Sequence, residues 1–367
     1  MTDARKPTIL HLDTERGWRG GERQALWLAR ALAERGHSSI VAARPAEPLA
    51  ARAREAGLTV EACSPRFEFD PVAVLGLRSV IRRRRVQIVH AHTAHAVALA
   101  ALATLGTSAK TVVTRRVDFK LRPNFGSRWI YGRAAAIIAI SKAVADALVA
   151  SGIGEERITI IPSGIDLGRT FTRATPETLV ELGVRRGAPL VVQVSQLVGH
   201  KDPLTFVRAI AAVRDVIPDV QALLVGDGPL RGAVESEVAR LGLAGVLYPT
   251  GYRADADSLL AAADVVTLSS KEEGLGTVLL DAMSMGKPIA ATSGGGIPEI
   301  VEHDVGGRLS QVGDYAELGS NVVSILNDRV LARRLSVEAR DRVKLFSVER
   351  TADRTQEVYK RVLTESV

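Results

Sequence analysis

The stretch VVTLSSKEEGLGTVLLDAMSMGKPIAATSGGGIP, residues 265–298, decides the fold of this chain. An apolar run at 265–268 enters a loop bearing Glu272 and Glu273, and Gly274 and Gly276 lead from it into a helix at Thr277. Asp281 follows four residues later, on the same helical face as Thr277. A turn at Gly286-Lys287-Pro288 opens a second apolar run, after which Gly294-Gly295-Gly296 leads into a helix at Pro298. Strand, glycine loop and helix thus occur twice in succession. The acids sit at the carboxyl ends of strands, where open α/β sheets bind ligands.

The same alternation extends in both directions. Apolar runs at 9–12, 39–42, 59–62, 88–89, 111–113, 136–140 and 158–161 read as strands separated by helices, one of them at 23–35 with Ala25, Leu28, Ala29 and Leu32 on its apolar face. The pattern restarts at 190–194, 222–225, 246–248, 265–268 and 289–291, and 348–363 reads as a terminal amphipathic helix. Alternating strands and helices of this kind specify parallel α/β sheets. The stretch Pro162-Ser163-Gly164-Ile165-Asp166, ahead of the polar segment 169–177, marks a boundary between two domains. The expected architecture is α/β: two doubly wound, Rossmann-like domains with a cleft between them.

Composition limits the function. A chain of 367 residues with 46% hydrophobic and 24% charged residues suits two soluble globular cores. Cys63 is the only cysteine, which excludes a disulfide framework and a cysteine-built metal site. No apolar run has the length of a membrane span and no signal-peptide pattern precedes the first strand, so a cytoplasmic protein is expected. Residues 1–170 hold 26 Lys and Arg against 15 Asp and Glu, whereas the remainder hold 22 against 26. A basic first half suits an anionic partner. The run Arg82-Arg83-Arg84-Arg85 reads as a solvated helix end, with peripheral contact to an anionic membrane as the less favoured alternative. Aromatic residues make up 4% of the chain, too few for a nucleic-acid stacking platform, and no nucleic-acid partner is expected.

Residues able to carry chemistry gather at loop tips. His11-Leu12-Asp13 ends the first strand, and a loop with Gly17, Gly20 and Gly21 leads into a helix at Glu22, which suits either phosphate approach or a tight turn. Ser195 and Gln196 follow the first strand of the second domain, and Lys201 precedes a helix opened by Asp202-Pro203. Gly226-Asp227-Gly228-Pro229 and Gly251-Tyr252 end the next strands; the Tyr252 ring either packs on a flat base or is buried. Amides at Gly276, Thr277 and Val278 lack intrahelical partners and face an anion. Asp281 can accept two hydrogen bonds from a ribose diol, and Glu273 can reach a sugar beyond the diphosphate. Two patterns invite a metal. His90, His92 and His95 lie at a strand end without a further histidine or carboxylate spaced to complete a site, and His92 reads better as a residue near the acceptor. Asp255-Ala256-Asp257 reads as helix capping rather than a metal motif.

With these residues in view, the whole chain resembles a retaining glycosyltransferase of family 4, with the GT-B fold and bacterial envelope or lipopolysaccharide-type relatives. The family's E-x7-E element is present as Glu273-x7-Asp281, and ISKAVADALVASGI, IIPSGID, VGDGP and GGGIPEIV follow in the family's order. The resemblance implies an acceptor-binding domain at 1–167 joined by a crossover helix at 348–367, and a donor-binding domain at 168–347. It implies a donor site of Gly20, Gly21, Ser195, Gln196, Lys201, Gly226, Tyr252, Glu273, Gly274, Leu275, Gly276, Thr277, Val278 and Asp281. Glu273, Lys201, His92, Arg116 and Asp118 are the implied catalytic set. The implied partners are a nucleotide-diphosphate sugar and a glycolipid, lipopolysaccharide or other glycan hydroxyl, with no metal or other cofactor. Three positions depart from the family: Asp281 replaces Glu, Gln196 stands where an Arg usually binds diphosphate, and Arg116 falls near the usual place of a His. A sugar-nucleotide epimerase of the same fold and a non-catalytic nucleotide-sugar binder are the alternatives.

Overall fold

The structure is a computed structural model and describes residues 6–121 and 125–364. It divides into two compact units, one formed by Met1–Asp166 with Phe346–Val367 and the other by Leu167–Leu345.

The first unit holds seven strands: β1 (Thr8–Leu12), β2 (Ser38–Ala43), β3 (Thr59–Ala62), β4 (Ile88–Ala91), β5 (Lys110–Arg115), β6 (Ala136–Ala139) and β7 (Ile158–Ile160). They pair in the order β3-β2-β1-β4-β5-β6-β7, every pair parallel. Strand order therefore reverses between β1 and β4, where the register sets His11 beside His90. The central strands read as apolar runs because helices cover both faces of a doubly wound parallel sheet. Ile9, Leu10, Leu12, Ile88 and Ile137 are fully buried.

The helix Val348–Thr364 completes this unit. It buries Val348, Ala352, Thr355, Val358, Tyr359 and Val362, a stripe at helical spacing. Backbone bonds between Ile165 and Phe346 and between Val348 and Ile165 tie it to the end of the unit's first segment.

The second unit repeats the plan with β8 (Leu190–Val194), β9 (Gln221–Val225), β10 (Leu247–Gly251), β11 (Val265–Leu268), β12 (Ile289–Thr292), β13 (Glu302–His303) and β14 (Gly306–Ser310). The order is β10-β9-β8-β11-β12-β14-β13, so the reversal lies between β8 and β11. Phe206, Val207, Ile210 and Val213 of the helix Pro203–Val216 share a core cluster with Leu318, Val322 and Ile325 of the helix Tyr315–Asn327.

Several elements differ from the sequence reading. The strands β13 and β14 and the helices Tyr315–Asn327 and Arg329–Arg342 have no counterpart in it. The glycines of β14 weaken a strand signal that its pairing with β12 overrides. The first helix begins at Gly20 rather than Glu22, with Arg19 at its N-cap, so Gly20 and Gly21 form its first turn instead of a preceding loop. The backbone N–H of Arg19 donates to Glu22 Oε2 at 2.7 Å, which closes that turn.

Gly226, just past β9, has φ of +138°, and a Cβ placed on it would lie 2.0 Å from the Ser195 carbonyl oxygen. Gly226→Ala should lower folding stability by about 2–4 kcal/mol through strain and overpacking. A urea midpoint equal to that of the unmodified protein would contradict this close approach.

Candidate functional site

In the second unit Ser195, Gln196, Lys201 and Glu273 follow β8 and β11 at the switch point of the sheet, whereas Tyr252 follows the edge strand β10. Ser195 and Gln196 leave β8, while 269–276 leaves β11 beside them. The backbone amides of Lys271 and Glu272 donate to the His200 carbonyl, at 2.8 and 3.2 Å. Ser269 Oγ accepts from Gln193 Nε2 at 3.0 Å and donates to the Asp202 carbonyl at 2.9 Å. On the other side, the Gly296 amide donates to the Glu273 carbonyl at 2.7 Å. A Cβ on Gly294 would stand 2.2 Å from the Ser270 carbonyl oxygen, so only glycine admits this loop so closely.

Held in this way, Glu273 forms an ion pair with Lys201 Nζ, and Ser270 Oγ donates to the same Oε2 at 3.1 Å. The two residues implied to hold sugar and diphosphate are therefore in direct contact. Gly274, Leu275 and Gly276 are buried, and Thr277 and Val278 half-buried, at the start of the helix Thr277–Ser284. Gly276 is its N-cap in the left-handed region, φ +86°. Ser195 and Gly226 adjoin one another: the Ser195 amide donates to the Val225 carbonyl and the Gly226 amide to that of Gly251. Gln196 is exposed. Tyr252 is 70% exposed, so burial against its neighbours is excluded.

Asp281 is buried one turn into the helix. Its Oδ1 accepts from Arg169 Nη1 at 2.9 Å, and Arg169 Nη2 is also bound to Asp257. Arg169 lies 112 residues from Asp281, and no local pattern marks the two as partners. The Asp255-Ala256-Asp257 pattern starts a helix as expected, with Asp255 at the N-cap and Asp257 in the first turn, but the Asp255 side chain makes no capping hydrogen bond. Asp255 instead binds Arg253 through both oxygens, each at 2.7 Å, and Asp257 binds Arg169.

A second polar cluster lies at the β1–β4 switch point of the first unit. His11, His90 and His92 offer ring nitrogens within 4.8 Å of one another. The third member is thus His11 rather than His95, correcting the reading that no further histidine joins the pair. The signal was present in the ends of two adjacent parallel strands, LHLD and VHAH.

The hydrogen bonds fix where the protons lie. Arg116 Nη2 can only donate, so His92 Nδ1, 3.3 Å away, accepts. A neutral His92 then carries its proton on Nε2 and donates to His11 Nδ1 at 3.1 Å. Both nitrogens of His90 engage hydroxyls, those of Tyr359 and Thr114, each at 2.6 Å. Burial holds His11 down at about 3, and holds His90 and His92 well below the ordinary imidazole range. A cation bound to this trio would have to displace a hydroxyl from His90 and either Arg116 from His92 Nδ1 or the proton from His92 Nε2. The arrangement fits a neutral hydrogen-bonded relay better than a metal centre.

Arg116 also donates to Ser163 Oγ at 3.2 Å, and Gly21 packs beside its side chain, with the Arg116 Cδ 3.8 Å from where a Cβ would stand. Burial lowers its guanidinium to about 10, against the pull of Asp13 and Glu22. Asp118 is half-buried two residues further on. Asp13 and Glu22 are members of this cluster that the sequence reading did not place in a site. Burial, reinforced by Glu22, raises the Asp13 carboxyl to about 7, while the Glu15 amide, 3.0 Å from Oδ1, and Arg116 act the other way.

Each doubly wound unit thus carries a polar cluster at its switch point, and both units match known families. Residues 18–169 match the family model Glycosyltransferase Family 4, and residues 188–328 match Glycosyl transferases group 1. The chain is similar to the N-acetyl-alpha-D-glucosaminyl L-malate synthase of Bacillus anthracis, with 30% identity over 53% of this chain and 51% of that protein. It is also similar to the D-inositol 3-phosphate glycosyltransferase of Nocardia farcinica, with 30% identity over 77% of this chain and 63% of that protein. The matches thus span between half and two thirds of these curated relatives. Among solved structures, Anabaena Alr3699/HepE in complex with UDP-glucose superposes with a TM-score of 0.83 at 24% identity, covering 97% of this chain and 100% of that one. The chain belongs to the family-4 glycosyltransferases and has their GT-B architecture.

The raised Asp13 pKa carries a pH prediction. Between pH 3.8 and about 7 the folded protein retains a proton that the unfolded chain has released, so this group makes stability fall as pH rises through that window. Asp13→Asn should therefore be more stable than the unmodified protein at pH 8, by up to about 4 kcal/mol, with the difference vanishing towards pH 4. Urea titrations across this range test it; a difference independent of pH would contradict it.

Proposed function

We propose that the protein transfers a hexose-type sugar from a nucleotide-diphosphate donor, with a UDP-sugar favoured, to a hydroxyl of a glycolipid, lipopolysaccharide or other glycan. The observation that carries this reading is the Lys201–Glu273 pair beside the amino end of the helix Thr277–Ser284, with Asp281 one turn inside it. Lys201 and the Gly276–Val278 amides would take the diphosphate, Glu273 the sugar, and Asp281 the ribose diol. The UDP and UDP-glucose complexes of the structurally similar HepE support a uridine donor.

In the proposed reaction the bond between the anomeric carbon and the diphosphate oxygen breaks as the acceptor oxygen bonds to that carbon. The leaving phosphate oxygen takes the acceptor proton on the same face, so configuration is retained. Lys201 stabilises the charge developing on the leaving group, and no metal is required for that role. In the first unit, His92, Arg116 and Asp118 are proposed to steady the reacting sugar or the acceptor hydroxyl, with the relay holding His92 neutral.

Peripheral contact with an anionic membrane belongs to the proposal. The helix Pro71–Arg83 exposes Val72 and Leu75, exposed Phe67 and Phe69 precede it, and exposed Arg82 and Arg83 end it. Apolar groups beside cations suit an interfacial helix. Arg83 and Arg84 also bind Glu61, as a solvated helix end would. No helix among the described residues is long and apolar enough to cross a membrane.

Labelled UDP-sugars should yield UDP slowly with protein alone and faster with the correct acceptor, undiminished by a chelator. Sugar isomerisation without UDP release would instead establish the epimerase. Asp281→Ala should weaken UDP binding about tenfold or more in calorimetry, whereas Glu273→Gln should mainly reduce turnover. Unchanged UDP affinity in Asp281→Ala would remove the ribose assignment. Replacing Phe67 and Phe69 by Ser, or Arg82 to Arg85 by Gln, should reduce co-sedimentation with phosphatidylglycerol vesicles, the arginine variant in a salt-sensitive way. Unchanged sedimentation of both would leave a solvated helix end.

A further inference from the structure

Asp281 reaches the nucleotide site already engaged. Its side chain is 2% exposed, and Arg169, 22% exposed, occupies one carboxylate oxygen. The same guanidinium binds Asp257 through its other terminal nitrogen and lies over the Phe171 ring, 4.6 Å from the centroid. Two nitrogens of one rigid plane on two carboxylates, with an aromatic face beneath, fix both the place and the tilt of the group. A lysine, a single point charge, could not hold that geometry.

Arg169 is the third residue of the second unit and comes from a segment outside the helix that carries Asp281. The carboxylate is therefore oriented from outside its own element. A buried carboxylate without this partner would turn to other donors or lose its charge. Asp281 is also one carbon shorter than the Glu usual at its position, so it has less freedom to find a diol unaided.

We propose that Arg169 is the positioning residue for the ribose contact. It binds Asp281 Oδ1 and thereby sets the orientation in which the carboxylate meets the 2′- and 3′-hydroxyls, and Asp257 holds Arg169 in turn. This rests on the assignment of Asp281 to the ribose. Arg169 touches neither sugar nor phosphate in this account; it acts through Asp281, and its loss should erase discrimination for the diol rather than nucleotide binding as a whole.

The test is calorimetric binding of UDP and of 2′-deoxy-UDP to the unmodified protein and to Arg169→Met, Arg169→Lys and Asp257→Asn. The unmodified protein should prefer UDP by about tenfold or more, the loss expected for a hydrogen bond to a charged group. In Arg169→Met the ratio should fall to about twofold or less, with intermediate ratios for Arg169→Lys and Asp257→Asn. The two milder variants carry the test if Arg169→Met does not fold. An equal loss of affinity for both nucleotides, with the ratio intact, would overturn the inference and make Arg169 a structural tie. An unmodified protein that binds both nucleotides equally would remove the ribose assignment itself, and the inference with it. Arg169→Met alone can fail while the preference of the unmodified protein stands, so the two failures are distinct.

Discussion

The parallel pairing of β8 with β11 is the constraint from which the candidate donor site follows. Val191 stands beside Val265 and Gln193 beside Thr267, so the loops leaving both strands emerge together where the strand order reverses. The His200 carbonyl then receives the Lys271 and Glu272 amides, and Ser269 bridges Gln193 to Asp202. These bonds bring Lys201 onto Glu273. They also set the start of the helix Thr277–Ser284 beside the ion pair, with Glu273 Cγ 3.6 Å from where a Cβ on Gly276 would stand. A slip of the pairing by one residue would exchange the side chains that the two strands pack on their covered faces and shift Lys201 from Glu273 by about 3.3 Å along the strand direction.

The first unit meets the same geometric opportunity with different chemistry. Its switch point holds a neutral histidine relay rather than an open ion pair. Arg116 is the cation bound to His92, and through the Nδ1 of His92 it determines the proton positions on His92 and His11. Tyr359, delivered by the chain's final helix, satisfies His90 from the opposite side. Packing of that helix and the protonation pattern at the sheet edge are therefore one problem. The helix needs its stripe of Val348, Ala352, Thr355, Val358 and Val362 to place a single phenol.

Much of this was legible in the sequence because each signal was local. Apolar runs with glycine turns revealed twelve of the strands, and the E-x7-E spacing placed Glu273 and Asp281 on one helix start. What escaped depends on contacts distant in sequence. His11 joins His90 and His92 only through strand register, and Arg169 meets Asp281 only through the tertiary fold. Asp13 looked like a strand end, since its raised pKa arises from burial that composition does not encode. The strand Gly306–Ser310 escaped because its glycines carry almost no propensity and its pairing with β12 decides its state.

One loop and one helix start in the second unit are proposed to hold the nucleotide-diphosphate part of a sugar donor. A crystal structure with UDP bound tests this most directly. The diphosphate is expected against the amides of Gly276 to Val278 and within reach of Lys201, with the ribose at Asp281. Nucleotide bound elsewhere in the unit, with Lys201 still paired to Glu273 and Asp281 out of contact with the ribose, would contradict it.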